Sequence, residues 1–175
     1  MSLSALKQAL AKHGLLGSSI IPSKSFEPRI FVHVAYPRDA TGFKVEPGAT
    51  LPIDATQEQP AISFEAEDEG KERFTLALLD PDAPSRKEPK WGPFRHWLVS
   101  DLNTGPAPPP GTGPHRYAFL LYRQPADSSP KFFGDKEDRR HYDLKRFVEE
   151  NNLTLVGANF FLAENKKKEY RRAVR

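Results

Sequence analysis

The sequence contains no cysteine and only one methionine among its 175 residues. Without thiols the chain cannot form a disulfide, a thiolate zinc site or a cysteine nucleophile. This fits a reducing compartment, so we expect a cytoplasmic protein; cysteine-free secreted proteins also exist, and the vacuole and the mitochondrion stay as alternatives. No apolar run approaches the ~20 residues that span a bilayer, which predicts a soluble chain with at most peripheral membrane contact.

Excess charge is also scarce outside the C-terminus. The formal net charge is +3, but Lys166–Arg175 holds six basic residues and one acid, which leaves 20 basic and 22 acidic residues elsewhere. A nearly neutral body lacks the basic face that nucleic-acid binding requires, so we expect no nucleic-acid partner. The basic segment 164–175 is predicted to be a solvated helix or tail, with contact to phosphate or membrane as the alternative.

Short apolar runs dominate the rest of the sequence. The length suits one domain (1–175) that buries roughly 70% of the surface of the unfolded chain. We expect helices within 1–25, after Asp143 and at the basic C-terminus, and otherwise a mainly β fold. The predicted strands are 30–34, 61–65, 74–80, 95–99, 115–122 and 153–161, where apolar residues alternate or run together.

Three local features carry specific structural predictions. Ser4 is placed to cap an N-terminal helix that ends at Gly14, with its leucines facing inward. Ile30–Val34 alternates in the manner of one continuous strand. The polar stretch 68–71 predicts a hairpin tip that joins the strands on either side of it.

The stretch 74–99 is expected to form half of a binding pocket. Its first strand stops at Asp-Pro-Asp-Ala-Pro, because proline lacks the N–H that a strand ladder needs. Its second strand alternates so that His96 and Leu98 share one face. Asp80, Asp82 and His96 are therefore predicted to lie at the rim of an apolar sheet, beside a turn stiffened by proline.

A second polar pair begins a later strand. The proline-rich segment 103–114 admits neither a helix nor a central strand. The strand that follows is apolar on both faces, which is typical of a strand in the middle of a fold. Its entrance carries His115 and Tyr117 on the same face as Phe119. The two sheet ends, each with polar groups, are predicted to meet.

Two acids, two imidazoles and a phenol at one point suit the recognition of an anion such as a phosphate monoester. Histidine N–H and tyrosine O–H groups donate to phosphate oxygens, and a neighbouring aspartate favours the imidazolium. A protonated phosphate oxygen would in turn donate to Asp80. We therefore expect a site for phospholipid headgroups or phosphorylated side chains that needs no arginine and no cofactor.

Two enzymatic alternatives stay open at this point. A metal centre would draw on four side chains, those of Asp80, Asp82, His96 and His115. Against it, the sequence has no HxxH, HExxH or D-x-D-x-D-G motif. Ser85 would serve a serine hydrolase, but it lacks the G-x-S-x-G context. A purely structural interpretation also stands, in which the aspartates only cap a turn and His96 is satisfied in the core.

Several motifs together resemble the phosphatidylethanolamine-binding protein family. They are Asp80-Pro81-Asp82-Ala83-Pro84-Ser85, His96-Trp97-Leu98-Val99, Gly105-Pro106-Ala107-Pro108-Pro109 and Gly111-Thr112-Gly113-Pro114-His115-Arg116-Tyr117. The resemblance covers most of the chain from about Phe26 to Ala163. Within the family, three short matches are most similar to the fungal carboxypeptidase Y inhibitor branch: Lys12-His13-Gly14-Leu15, Ser25-Phe26-Glu27-Pro28 and Ala158-Asn159-Phe160-Phe161.

The resemblance implies an antiparallel β-sandwich of one large and one small sheet with peripheral helices, and a cis peptide bond between Ala83 and Pro84. Members of the family are mainly not enzymes. They bind phospholipid headgroups or phosphorylated peptides, and they modulate kinases, small-GTPase signalling and serine proteases, so a serine carboxypeptidase or a kinase or small-GTPase regulator is an expected partner. The implied anion pocket consists of Asp80, His96, His115 and Tyr117, with walls from Pro84, Phe94, Ala107 and Pro109.

Some positions depart from the family pattern. The segment between Leu102 and Gly105 is much shorter than is usual, which predicts that one pocket wall is missing or rebuilt. Phe94 stands where tryptophan is frequent, and Arg95 stands where a second histidine can occur. Tyr170 is the candidate for the pocket tyrosine that the family often carries on its terminal helix.

Overall fold

The computed structural model describes residues 2–37, 43–66, 72–102, 115–133 and 139–164. Its strands are β1 (Ile30–Phe31), β2 (His33–Tyr36), β3 (Phe43–Lys44), β4 (Ala49–Pro52), β5 (Ala61–Ser63), β6 (Phe74–Asp80), β7 (Phe94–Leu102), β8 (His115–Arg123) and β9 (Thr154–Glu164). Its helices are α1 (Leu3–Lys12), α2 (Leu144–Glu150) and a 3-10 helix (Ile53–Thr56). The mainly β fold class is confirmed. The basic segment after Glu164, including Tyr170, lies outside the described residues.

The strands form one large and one small sheet, as expected. The large sheet has the order β1-β9-β8-β6-β7, with β4 also paired to β9, and the small sheet has the order β3-β2-β5. The central ladders are antiparallel, whereas β1 and β4 run parallel to β9. β6 and β8 lie inside the large sheet because they are apolar on both faces, and every residue of β6 is buried.

Each face of β8 contributes to a different apolar core. Leu120 and Tyr122 belong to the helix-side core, which includes buried residues of α1 and α2. Tyr117 and Phe119 belong to the sheet-side core, which includes buried residues of β2 and β5 in the small sheet. The predicted alternation along β8 is therefore confirmed, and Tyr117 faces the small sheet.

The prediction of one strand over Ile30–Val34 is wrong. β1 pairs with β9 in the large sheet, whereas β2 pairs with β3 and β5 in the small sheet. The break falls at Val32, whose carbonyl accepts a hydrogen bond of 2.8 Å from the side-chain amide of the fully buried Asn159. A single alternating run therefore serves two sheets, with its change of sheet held by a buried amide.

The predicted hairpin around 68–71 is also wrong. The strands before and after it belong to different sheets, because β5 pairs with β2 while β6 pairs with β7 and β8. The two flanking strands therefore do not pair with each other as a hairpin requires. Residues 67–71 themselves lie outside the described residues.

Both α-helices begin at a side-chain cap. Ser2, rather than the predicted Ser4, caps α1 by accepting a hydrogen bond of 3.2 Å from the Ala5 N–H. Asp143 caps α2 as predicted, through a bond of 3.0 Å from the Arg146 N–H. Starting α1 at Leu3 buries its Leu6 and Leu10 side chains in the helix-side core. No helix in the described ranges combines the length and the hydropathy that a membrane span requires.

Candidate functional site

The turn that follows β6 is built around the Asp80 carboxylate. The backbone N–H of Asp82 donates to Asp80 Oδ1 at 2.7 Å, which closes a local turn of the kind that aspartate favours. The Ala83–Pro84 peptide bond is cis, as the resemblance implied. The chain passes again close by, since a Cβ added to Gly92 would lie 2.4 Å from the Pro81 carbonyl oxygen. These contacts therefore hold Asp80 in place at the end of β6 in the large sheet.

A β-bulge in β7 brings His96 to this turn. Leu78 is opposite Trp97 and Leu79 is opposite Arg95, so His96 is the extra residue between the two pairs. The prediction that His96 shares a face with Leu98 is wrong for this reason. Leu98 packs against the helix-side core, whereas the His96 ring lies 4.7 Å from the ring of Tyr117 in the sheet-side core.

Asp80, His96 and Tyr117 lie together, and we call them the polar cluster. His96 Nε2 is 3.7 Å from Asp80 Oδ2, which is longer than a hydrogen bond. The Asp80 side chain is 1% exposed and that of His96 is 9% exposed. Within the described part of the chain, the buried His96 Nε2 has no hydrogen-bond partner. The predicted meeting of the two sheet ends is therefore observed for these three residues.

The phenol of Tyr117 stays protonated at neutral pH. Burial raises its pKa above the ordinary value of 10.0, and the negative charge of Asp80 and the neighbouring Tyr36 raise it further. Phe161 stacks on the Tyr117 ring at 5.1 Å and lies nearly perpendicular to the Tyr36 ring at 5.7 Å. Tyr36 and Phe161 support the cluster and were missed in the sequence. For Phe161 the register of β8 and β9 gives the signal, because it is directly opposite Tyr117.

Only two of the four predicted wall residues of the pocket lie within the described residues. The Phe94 ring lies 4.9 Å from the His96 ring, and Pro84 is half-buried at the end of the turn. Arg139, which sequence reasoning missed, places its guanidinium carbon 5.1 Å from the centre of the Phe94 ring. Ala107 and Pro109 lie outside the described residues, and so does the side chain of His115, the first residue of β8.

Asp82 does not point toward the polar cluster. Its Oδ1 accepts a bond of 2.6 Å from Arg116 Nη2, and its Oδ2 accepts a bond of 2.7 Å from Arg116 Nε. Arg116 precedes Tyr117 on β8 and so faces the helix-side core. The prediction that Asp82 lies beside His96 is therefore wrong, because the Arg116 guanidinium donates to both of its carboxylate oxygens.

Asp82 and Ser85, which the enzymatic alternatives invoke, have other contacts in the structure. No cluster of three acidic or histidine side chains suited to a metal ion occurs within residues 2–37, 43–66, 72–102, 115–133 and 139–164. Asp82, one of the four proposed ligands, is engaged by Arg116. The hydroxyl oxygen of Ser85, the candidate nucleophile, accepts a hydrogen bond of 3.3 Å from the Glu88 N–H.

Comparisons with known proteins extend these observations. The sequence model of the phosphatidylethanolamine-binding protein family matches residues 41–104 and 103–161. The chain is 32% identical to a carboxypeptidase Y inhibitor of Saccharomyces cerevisiae, over 89% of this chain and 93% of the relative. It is also 32% identical to an uncharacterized yeast protein, YLR179C, over 67% of this chain and 75% of that protein.

Solved structures give the same picture. A crystal structure of carboxypeptidase Y inhibitor complexed with its cognate proteinase matches with a TM-score of 0.76 and 34% identity, covering 94% of this chain and 97% of that one. A phosphatidylethanolamine-binding protein from Plasmodium vivax shares the fold at a TM-score of 0.73 and 19% identity, covering 91% of this chain and 97% of that one. The two stretches matched by the family model meet at 103–104, where the sequence predicts a shortened segment.

Proposed function

Since the chain belongs to the phosphatidylethanolamine-binding protein family, we propose that it is a non-catalytic regulatory protein that inhibits a serine carboxypeptidase by direct contact. We propose further that its polar cluster binds a phosphate-type anion. The observation that carries the first part is the likeness to carboxypeptidase Y inhibitor, at 34% identity over 94% of the chain. Similarity of that extent covers most of the chain, rather than one motif.

The anion part rests on the geometry of the polar cluster. His96 Nε2 is buried and has no hydrogen-bond partner among the described residues, which is costly, and a ligand oxygen placed beside it would satisfy it. The protonated Tyr117 phenol is a second potential donor, and Asp80 would accept from a protonated phosphate oxygen. Inorganic phosphate, phosphoethanolamine and a lipid headgroup share this chemistry.

The same geometry supports binding rather than catalysis. The Tyr117 ring, 4.7 Å from the His96 ring, carries a phenol whose pKa is raised by burial and by the charge of Asp80. Such a group ionises less readily than free tyrosine, which makes it a poor nucleophile at neutral pH. No arrangement in the described residues favours a kinase or small-GTPase regulator over a carboxypeptidase as the partner.

Inhibition is tested by titrating the full-length protein into a serine carboxypeptidase assay. We expect hydrolysis of a peptide substrate to fall as the protein approaches the enzyme concentration. Unchanged hydrolysis with the protein in large excess would refute the inhibitor proposal. Bovine serum albumin at equal concentration controls for competition by a second protein.

Surface variants then locate the inhibitory contact. Deleting α1 would open the helix-side core, because Leu6 and Leu10 are fully buried. The exposed Gln8 and Lys12 are better targets, as Gln8→Arg and Lys12→Glu, with His96→Gln as the matched change in the polar cluster. A larger loss of inhibition from the α1 pair assigns the contact to the N-terminal surface, and the reverse result assigns it to the cluster.

Anion binding is tested by calorimetry with three probes. Inorganic phosphate, phosphoethanolamine and phosphatidylethanolamine vesicles are titrated into the wild-type protein and into His96→Gln. Binding of the first two points to a free phosphate or phosphorylated group, whereas binding of vesicles alone points to a lipid surface. Absence of His96-dependent binding for all three would refute the anion proposal.

A further inference from the structure

The Asp80–Asp82 turn wraps the end of the large sheet and places its two carboxylates on opposite sides. Asp80 lies with His96 and Tyr117 on the sheet side. Asp82 lies with Arg116 on the helix side. One direct bond of 2.7 Å joins them, from the Asp82 N–H to Asp80 Oδ1. This bond connects the Asp80 carboxylate directly to the residue that holds Arg116.

Arg116 continues this connection to the end of α1. Its Nη1 donates to the Gly14 carbonyl at 2.8 Å and to the His13 carbonyl at 3.1 Å, while Nε and Nη2 hold Asp82. His13 is the C-cap residue of α1, so its carbonyl has no partner within the helix and lies at the negative end of the helix dipole, whereas Gly14 lies just beyond. The guanidinium therefore satisfies acceptors from two elements at once. We call these contacts the Arg116 bridge.

A second arginine reaches the same helix end without touching Asp82. Arg86 Nη2 donates to the His13 carbonyl at 3.1 Å. Partial burial lowers the pKa of His13, and the positive charges of Lys12, Arg86 and Arg116 lower it further, which agrees with cations converging on this point. Arg86 and Arg116 thus share one acceptor, but only Arg116 is connected to the polar cluster.

We propose that the Arg116 bridge couples the polar cluster to the N-terminal segment, so that an anion bound beside Asp80 tightens the docking of the α1 end. Arg116 is a positioning residue in this arrangement, and the anion that it responds to rests on the proposed function. Coupling of this kind is reciprocal, so loosening the α1 end weakens anion binding by the same factor. It runs through Asp80, Asp82, Arg116 and the carbonyls of His13 and Gly14.

Hydrogen exchange at the α1 end measures the coupling. The N–H groups of His13, Gly14 and Leu15 bond to carbonyls within α1 and report its opening. We expect saturating inorganic phosphate to slow their exchange in the wild-type protein by about fivefold, the lower end of typical coupling. Arg116→Lys keeps the charge but loses the fork that holds Asp82 and the carbonyls together, so the phosphate effect should disappear.

Two other arginine variants serve as controls. Arg86→Ala removes one contact to His13, so the basal exchange of the α1 end should rise while the phosphate effect persists. Arg123→Lys disturbs a pair with Glu72 at the opposite end of β8 and should change neither quantity. Phosphate that binds by calorimetry but leaves these amides unprotected would overturn the coupling, and so would a phosphate effect that survives Arg116→Lys.

A comparison without any anion separates the coupling from the proposed function. Asp80→Asn keeps an oxygen that accepts from the Asp82 N–H, whereas Asp80→Ala removes it. We expect exchange at 13–15 to rise about fivefold in Asp80→Ala relative to Asp80→Asn. Equal rates in the two variants would overturn the coupling, whereas unequal rates with no phosphate binding would refute the anion proposal and keep the structural link.

Discussion

Asp80 and Asp82 are separated by one proline and are almost equally buried, with 1% and 2% of their surface exposed. Asp80 faces the His96 imidazole at 3.7 Å, whereas Asp82 is held by two short bonds from Arg116. Equal burial of the two carboxylates therefore does not imply an equal role. The Arg116 guanidinium is always charged and donates to both carboxylate oxygens of Asp82, so the role of Asp82 is structural. Asp80 instead lies in the polar cluster, beside the imidazole that we propose as a donor to the anion.

The largest expected effect is the loss of stability when Asp82 is replaced. Asp82→Ala removes the carboxylate that pairs with Arg116, whose side chain is only 12% exposed. We expect the free energy of unfolding in urea to fall by about 3–5 kcal/mol. Glu72→Ala, which breaks the more exposed pair with Arg123, is the matched control and should cost at most about 1 kcal/mol. Similar losses in the two variants would erase the distinction drawn for Asp82.

A smaller effect is expected when His96, which lies beside Asp80, is replaced. In the wild-type protein, phosphate at ten times its dissociation constant should add about 1.4 kcal/mol to the free energy of unfolding. His96→Gln should lose this gain while changing the unliganded stability by no more than about 1 kcal/mol, because Nε2 makes no hydrogen bond within the described residues. Thermal unfolding with and without phosphate measures both quantities. His33→Gln, at an exposed position, should keep the full gain.

The smallest effect is the contribution of His13, at the end of α1, to the loss of stability at acidic pH. The pKa of His13 is lowered in the folded protein from its ordinary value of 6.5, by burial and then by neighbouring positive charge. The unfolded chain therefore binds more protons, and stability should fall as pH drops below that ordinary value. His13→Gln should have a shallower decline of the urea midpoint between about pH 7 and pH 5. An equal decline in His13→Gln and in the wild type would contradict this prediction.

The sequence was sufficient for the features that depend on local pattern. β6 and β8 are apolar on both faces, and this alone predicts their central place in the large sheet. Asp143 follows the cap preference, and Tyr117 follows the alternation of its strand. The likeness of the motifs to one family added the arrangement of two sheets, which local pattern does not determine.

The features that were missed depend on residues far apart in the chain. The bulge at His96 is defined only by the pairing of β7 with β6, so strict alternation gave the wrong face. Asp82 and Arg116 are 34 positions apart, and neither residue carries a local sign of the other. The run from Ile30 to Tyr36 changes sheet at Val32, where the hydrogen-bond donor is Asn159, 127 positions away.

The central claim, that the polar cluster is an anion site, is tested most directly by following histidine ring signals in an NMR titration with phosphate. The His96 resonance is assigned by its absence from the spectrum of His96→Gln. The proposed site predicts that phosphate shifts this resonance saturably, while the resonances of the exposed His33 and His141 stay unmoved. A His96 resonance that does not move, or one that moves no more than those of His33 and His141, would contradict the claim.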